Sequence, residues 1–115
     1  MTENELIQQI RQKKSEIDRL DLEQLGKLKW TLKEIDQLLL DLAKEVGFET
    51  DRGRHFQHIA HILYGTIEKE ATRIISHYEA SNKPRASAIS KRRVEAELTE
   101  LKQRVGRDLF MVNHV

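Results

Sequence analysis

Apolar residues recur along this chain at helical spacing. The clearest series is Leu25, Leu28, Leu32, Ile35, Leu39, Leu42 and Val46, which steps by three and four as a heptad seam does. It predicts a long helix ending near Val46, where Gly47 stands as a C′ residue and Phe48 is placed to pack back. Trp30, Leu38 and Leu40 lie off the seam and widen the apolar surface. Upstream, Leu6, Ile10, Ile17 and Leu20 predict a first helix over about 3–20, with the aliphatic stem of Lys13 filling a gap and Thr2 and Glu5 spaced as a capping box. Downstream, Phe56, Ile59, Leu63, Ile67, Ala71, Ile74 and Tyr78 predict a third helix over about 52–80, capped by Thr50 or Asp51. Gly65 inside it is either tolerated or marks close contact between helices. Ser81-Asn82-Lys83-Pro84 ends that helix, because Pro has no amide and disfavours helical geometry in the residue before it. Ser87 or Ser90 then caps a fourth helix carrying Val94, Leu98, Leu101, Val105 and Leu109 to about Phe110, with Glu100 and Arg104 as an i,i+4 pair.

Short connections between four helices make neighbours antiparallel, so the expected fold is an all-α antiparallel helical bundle in a single domain, 1–115. Composition agrees: the 115 residues include one Pro and five Gly, with no repeat and no linker able to separate two domains. The first helix has few apolar residues beside the long Leu seam of the second. Part of the seam is therefore expected to be buried between chains, most simply in a homodimer, with Leu25, Leu28, Trp30, Leu32, Ile35, Leu39, Leu40 and Leu42 as the oligomer or partner interface. No apolar run approaches the ~18 residues of a membrane span, and Met1-Thr2-Glu3-Asn4-Glu5 lacks the plan of a signal peptide, so a cytoplasmic protein without membrane partners is expected. The absence of Cys excludes disulfides, thiolate metal sites and a thiol nucleophile.

Charge is uneven. Residues 1–50 hold eleven acids and eight bases, whereas residues 51–115 hold eight acids and twelve bases. The basic character peaks where Lys83, Arg85, Lys91, Arg92 and Arg93 occur with no acid among them. These residues straddle a Pro-containing connection and the start of a helix, where free amides and the positive end of the dipole favour phosphate. Contact with the backbone of RNA or DNA, weakly sequence-specific and steeply salt dependent, is the natural mode. Glu95 and Glu97 one turn on compete for the same cations. Trp30, Phe56 and Tyr78 read as core rather than as platforms for stacking bases.

The third helix carries His55, His58 and His61. Steps of three drift by about 60° around the axis, so the triplet cannot converge on one ion without further ligands, and no metal is expected. Arg54 and His61 are seven residues apart and face the same way. A cation beside an imidazole is a phosphodiester-cleaving pair, the Arg stabilising charge on phosphorus while the His transfers a proton. The Arg54 to His61 spacing resembles the Arg, four to six residues, His motif of the HEPN superfamily, small helical bundles that often dimerise and often act as ribonucleases. That resemblance implies a metal-independent ribonuclease using Arg54 and His61.

The scattered glycines form no phosphate loop, so no nucleotide cofactor is expected. Glu68 with Glu70, and Glu95 with Glu97, are spaced by two and point to different helix faces, which gives paired acid and base chemistry no support. Three functions follow. The first is a non-enzymatic helical subunit that oligomerises and binds nucleic-acid phosphate through its basic second half. The second is the ribonuclease just described, and the third is an adaptor that joins a larger protein assembly through Trp30 and Leu40.

Overall fold

Three of the predicted caps start three helices. The Thr2 hydroxyl accepts the amide of Glu5 at 3.2 Å and begins α1 (Glu3–Asp18). The Thr50 hydroxyl accepts the amide of Gly53 at 3.0 Å and begins α3 (Asp51–Ile62). The Ser90 hydroxyl accepts the amide of Arg93 at 3.2 Å and begins α5 (Lys91–Phe110). The computed structural model describes residues 2–82, 90–110 and 112, so the alternative cap Ser87 lies outside the described residues. A short 3-10 turn, Leu22–Gln24, held by the Asp21 carboxylate on the amide of Glu23, leads from α1 into α2 (Gly26–Val46). Gly47 ends α2 with φ of +99°, a conformation that favours glycine. Gly53 is required for a different reason: a Cβ there would lie 2.0 Å from the Gly47 carbonyl oxygen, so the first turn of α3 presses directly on the turn that precedes it.

The third predicted helix is one rod with an interruption. α3 passes through a π turn at Leu63–Ile67 into α4 (Glu68–Ser81), and the Glu68 amide donates to the carbonyl of Leu63, five residues back. In an uninterrupted α-helix, five residues would carry Glu68 about 140° around the axis from Leu63. The π turn instead stacks it above Leu63 and into the core, where it is 7% exposed. Gly65 lies inside this turn, and a Cβ there would meet nothing within 4 Å, so it marks the π turn and not the close helix contact that was the alternative reading.

Four rods pack in sequence: α2 against α1 and against α3–α4, α4 against α5, and α5 back against α1. Neighbours are antiparallel. Arg52 at the start of α3 pairs with Glu3 at the start of α1, and Lys13 of α1 pairs with Glu34 of α2 at 2.8 Å. At the other end, Lys102 of α5 donates to the carbonyls of Asp18 and Leu20, placing a cation at the negative end of the α1 dipole. The result measures 53 × 21 × 19 Å. The antiparallel four-helix all-α fold is as expected, and among the described residues no helix is long and apolar enough to cross a membrane.

Three expectations about individual residues change. Leu25, Leu28, Leu32, Ile35, Leu39 and Leu42, assigned to an interface, are at most 3% exposed within one chain. α1 and α3–α4 together cover both flanks of the seam, so these six are the chain's own core, and contact through them would require the bundle to open. Trp30, read as core, is 68% exposed, because it lies about 140° around α2 from Ile35. Arg104 reaches across to Glu70 of α4 instead of pairing with Glu100 on its own helix.

Candidate phosphate-binding site

The seam between α4 and α5 gathers most of the charged side chains that matter. Lys91, Arg92 and Arg93 fill the first turn of α5, all three exposed. Cations here oppose the helix macrodipole, whose positive end lies at the N-terminus, by ~0.3–1 kcal/mol each. Only Arg93 has a carboxylate partner among the described residues: its Nε lies 3.4 Å from Glu97 Oε1. Lys91 shares an open cavity of about 560 Å³ with Asp21, Glu23, Glu95 and Lys102, so on that side the cations face acids. Arg92 has no ion-pair partner among the described residues. Lys83 and Arg85 lie outside the described residues. Arg52 and Arg54 sit at the opposite end, where Arg52 is already paired with Glu3 and lies 5.7 Å from the Phe56 ring centroid. The two basic regions do not merge within one chain.

This seam also holds a histidine that no sequence motif marks. His77 of α4 places Nδ1 at 2.9 and 3.1 Å from the two Glu97 oxygens. A carboxylate only accepts, so Nδ1 carries a proton, and in the neutral ring the lone pair is therefore on Nε2. The imidazole and Glu97 are partly buried, with side-chain exposures of 24% and 16%. Glu97 bridges His77 and Arg93, so an oriented imidazole and a guanidinium share one carboxylate. No spacing signal connects residues twenty positions apart on different helices. Only the packing of α4 on α5 does.

The other pair of interest from the sequence, Arg54 and His61, is exposed on the outer face of α3 with His58 between them. About 10 Å of helix rise separates them, and among the described residues neither has a side chain that orients it. His55 is half-buried against Phe56, with Nε2 enclosed and without a hydrogen-bond partner. Among the described residues no group of three or more His, Asp or Glu side chains is placed to hold a metal ion.

A second unexpected pair lies deeper. Asp36 of α2 faces Glu68, which the π turn delivers to the core. Both Asp36 oxygens and Glu68 Oε2 are enclosed and meet no donor from other residues, so keeping Asp36 protonated avoids two facing buried charges. Desolvation by burial, followed by the hydrogen bond and the negative charge of Glu68, pushes the Asp36 pKa up to about 8. Helical spacing draws attention to Glu68 with Glu70 and to Glu95 with Glu97. The pair that forms takes one member from each of two helices.

Of the eight interface candidates, only Trp30 and Leu40 stay on the surface, 68% and 41% exposed. They are ten residues apart on α2, about 15 Å along the axis and 80° around it. Exposed Lys33 and Gln37 lie between them, so they form no single apolar patch. Compared with known protein families, with curated proteins and with solved structures, the chain matches none.

Proposed function

We propose that this chain is a helical subunit that binds the phosphate backbone of nucleic acids at the end of the bundle where α5 begins. The observation that carries the reading is the Lys91-Arg92-Arg93 run in the first turn of α5. Three adjacent cations stand at the helix end where their charge is unfavourable, and two of them have no ion pair among the described residues. A phosphate group relieves that repulsion and accepts from the free amides of the same turn. Lys83 and Arg85, a few residues earlier, extend the same cationic stretch in sequence.

Binding of this kind follows the salt dependence of counterion release. Three to five neutralised phosphates give a slope of log K against log salt of about −2.7 to −4.5 on duplex DNA and about −2 to −3.5 on single-stranded RNA. Mobility shifts of both nucleic acids across a salt series measure it. Replacing Lys91, Arg92 and Arg93 by Glu together is expected to abolish the shift while helicity and oligomeric state stay as they are. A triple variant that still shifts nucleic acid with the parent's salt slope overturns the reading. Trp30, the exposed tryptophan, supports a second reading in which a protein partner covers the outer face of α2. Loss of a partner protein on Trp30→Ala, with nucleic-acid binding absent from the parent, identifies that case.

A further inference from the structure

We propose that His77, held by Glu97 and flanked by Arg93, is the proton-transfer group of an RNA-cleaving site on the α4–α5 seam. The proposal rests on the phosphate-binding reading and goes beyond it, because it assigns chemistry and a substrate class to the same end of the bundle.

Three features support it. The Glu97 carboxylate fixes the His77 ring through Nδ1, at 2.9 and 3.1 Å, which leaves Nε2 as the base. The Arg93 guanidinium, anchored to the same carboxylate at 3.4 Å, keeps 62% of its side-chain surface exposed and available to a phosphate oxygen. Arg93 adjoins the exposed Arg92 in the first turn of α5, so the site lies at the phosphate-binding end of the bundle, with Lys91 on the other flank of the helix. By contrast, Arg54 and His61 have neither an orienting carboxylate nor a phosphate-holding neighbour assigned to them. Among the described residues, the histidine oriented by a carboxylate is His77.

One imidazole and one guanidinium suffice when the substrate brings its own nucleophile, and RNA does so in its 2′-hydroxyl. His77 Nε2 takes the 2′-hydroxyl proton as the 2′-oxygen attacks the adjacent phosphorus. The new P–O2′ bond forms as the P–O5′ bond breaks, and the departing 5′-oxygen takes a proton from water. The resulting hydroxide is neutralised by the proton on His77, which restores the base. The products are a 2′,3′-cyclic phosphate and a 5′-hydroxyl, with no oxidant, reductant or co-reactant consumed. Arg93 stabilises the charge that accumulates on the non-bridging oxygens. Glu97 acts as a positioning residue, through the ring it holds.

The test uses the full chain with a labelled DNA strand containing a single ribonucleotide, in the presence of a chelator, read both for a mobility shift and for cleavage. The parent protein is expected to cut beside the ribonucleotide, leave a cyclic phosphate and spare the all-deoxy strand. His77→Ala is expected to lose cleavage by 100-fold or more while retaining the shift and the helical circular-dichroism signal. His77→Gln serves the same purpose if the alanine variant does not fold. Glu97→Gln is expected to lower kcat at least tenfold at unchanged KM, a split that mere loosening of the helix pair would not produce. A shift without cleavage overturns this proposal and leaves phosphate binding standing. Neither shift nor cleavage overturns both. Cleavage that persists in His77→Ala, or that depends on His61 instead, overturns the assignment to this seam.

Discussion

The Asp36 and Glu68 pair makes stability fall as pH rises through the neutral range, opposite to what separate surface carboxylates do. In the unfolded chain Asp36 titrates at its ordinary value of 3.8, and in the folded chain at about 8. Between those values the folded state holds a proton that the unfolded state has released. This contribution to stability is therefore whole below pH ~4 and is lost progressively as pH rises through about 8. At full weight, a shift of about four units corresponds to ~6 kcal/mol. Asp36 keeps part of its surface in water, and solvent screening reduces the expected loss to ~2 kcal/mol. With an unfolding entropy of ~2.1 cal/mol/K per residue, that lowers Tm by about 8 °C between pH 5 and pH 9. Calorimetry or circular-dichroism melts across that range measure it, with the Asp36→Asn, Glu68→Gln double variant as the reference that removes all other titrations. Asp36→Asn alone is expected to flatten the profile and to melt above the parent at pH 9. A parent profile parallel to that of the double variant would refute the raised titration of Asp36.

Three further outcomes follow from the geometry. Arg92→Glu, replacing a cation that opposes the α5 dipole and has no ion pair among the described residues, is expected to raise stability by ~0.3–1 kcal/mol in thermal melts, and a fall in Tm at low salt would contradict the dipole argument. Gly53→Ala is expected to destabilise by more than ~2 kcal/mol, because its Cβ meets the Gly47 carbonyl at 2.0 Å, whereas Gly65→Ala, with nothing within 4 Å, is expected to stabilise by ~0.5–1 kcal/mol. Denaturant titrations rank the two, and equal effects would count against the packing of α3 on the α2 turn. Trp30, 68% exposed and the chain's single tryptophan, is expected to emit as a solvent-exposed indole and to be quenched by iodide. Protection from quenching at high protein concentration would show that chains associate through the outer face of α2.

Most of the fold is legible in the sequence because it rests on relations within a single helix. The spacing of the seam from Leu25 to Val46, the caps at Thr2, Thr50 and Ser90, and the turn at Gly47 each depend on residues within a few positions of one another. What is not legible depends on how one helix is rotated against the next. Arg104 has Glu100 one turn away on its own helix and chooses Glu70 across the groove. His77 and Glu97 meet only because α4 and α5 pack in one register. The Leu seam suggests a partner chain because α1 looks too thin to cover it, yet Leu6, Ile10 and Ile17, each at most 3% exposed, are enough when α3–α4 covers the other flank. α-Helical arithmetic puts Glu68 outside the core, and a π turn has no signature in hydrophobic period that would bring it back.

That same π turn bears on how this chain can change length. Glu68 is five residues beyond Leu63 and sits above it, where an α-helix would place the fourth, so the α3–α4 rod contains one residue more than its span needs. It has the form of an insertion that the helix has absorbed. Loss of a residue between Leu63 and Ile67 would convert the turn to ordinary α-helix and keep both buried faces where they are. A gain or loss anywhere else in the rod would swing one half about 100° relative to the other, separating Arg52 from Glu3 at one end or His77 from Glu97 at the other. Among the described residues of this rod, tolerance to insertion and deletion is concentrated in one turn.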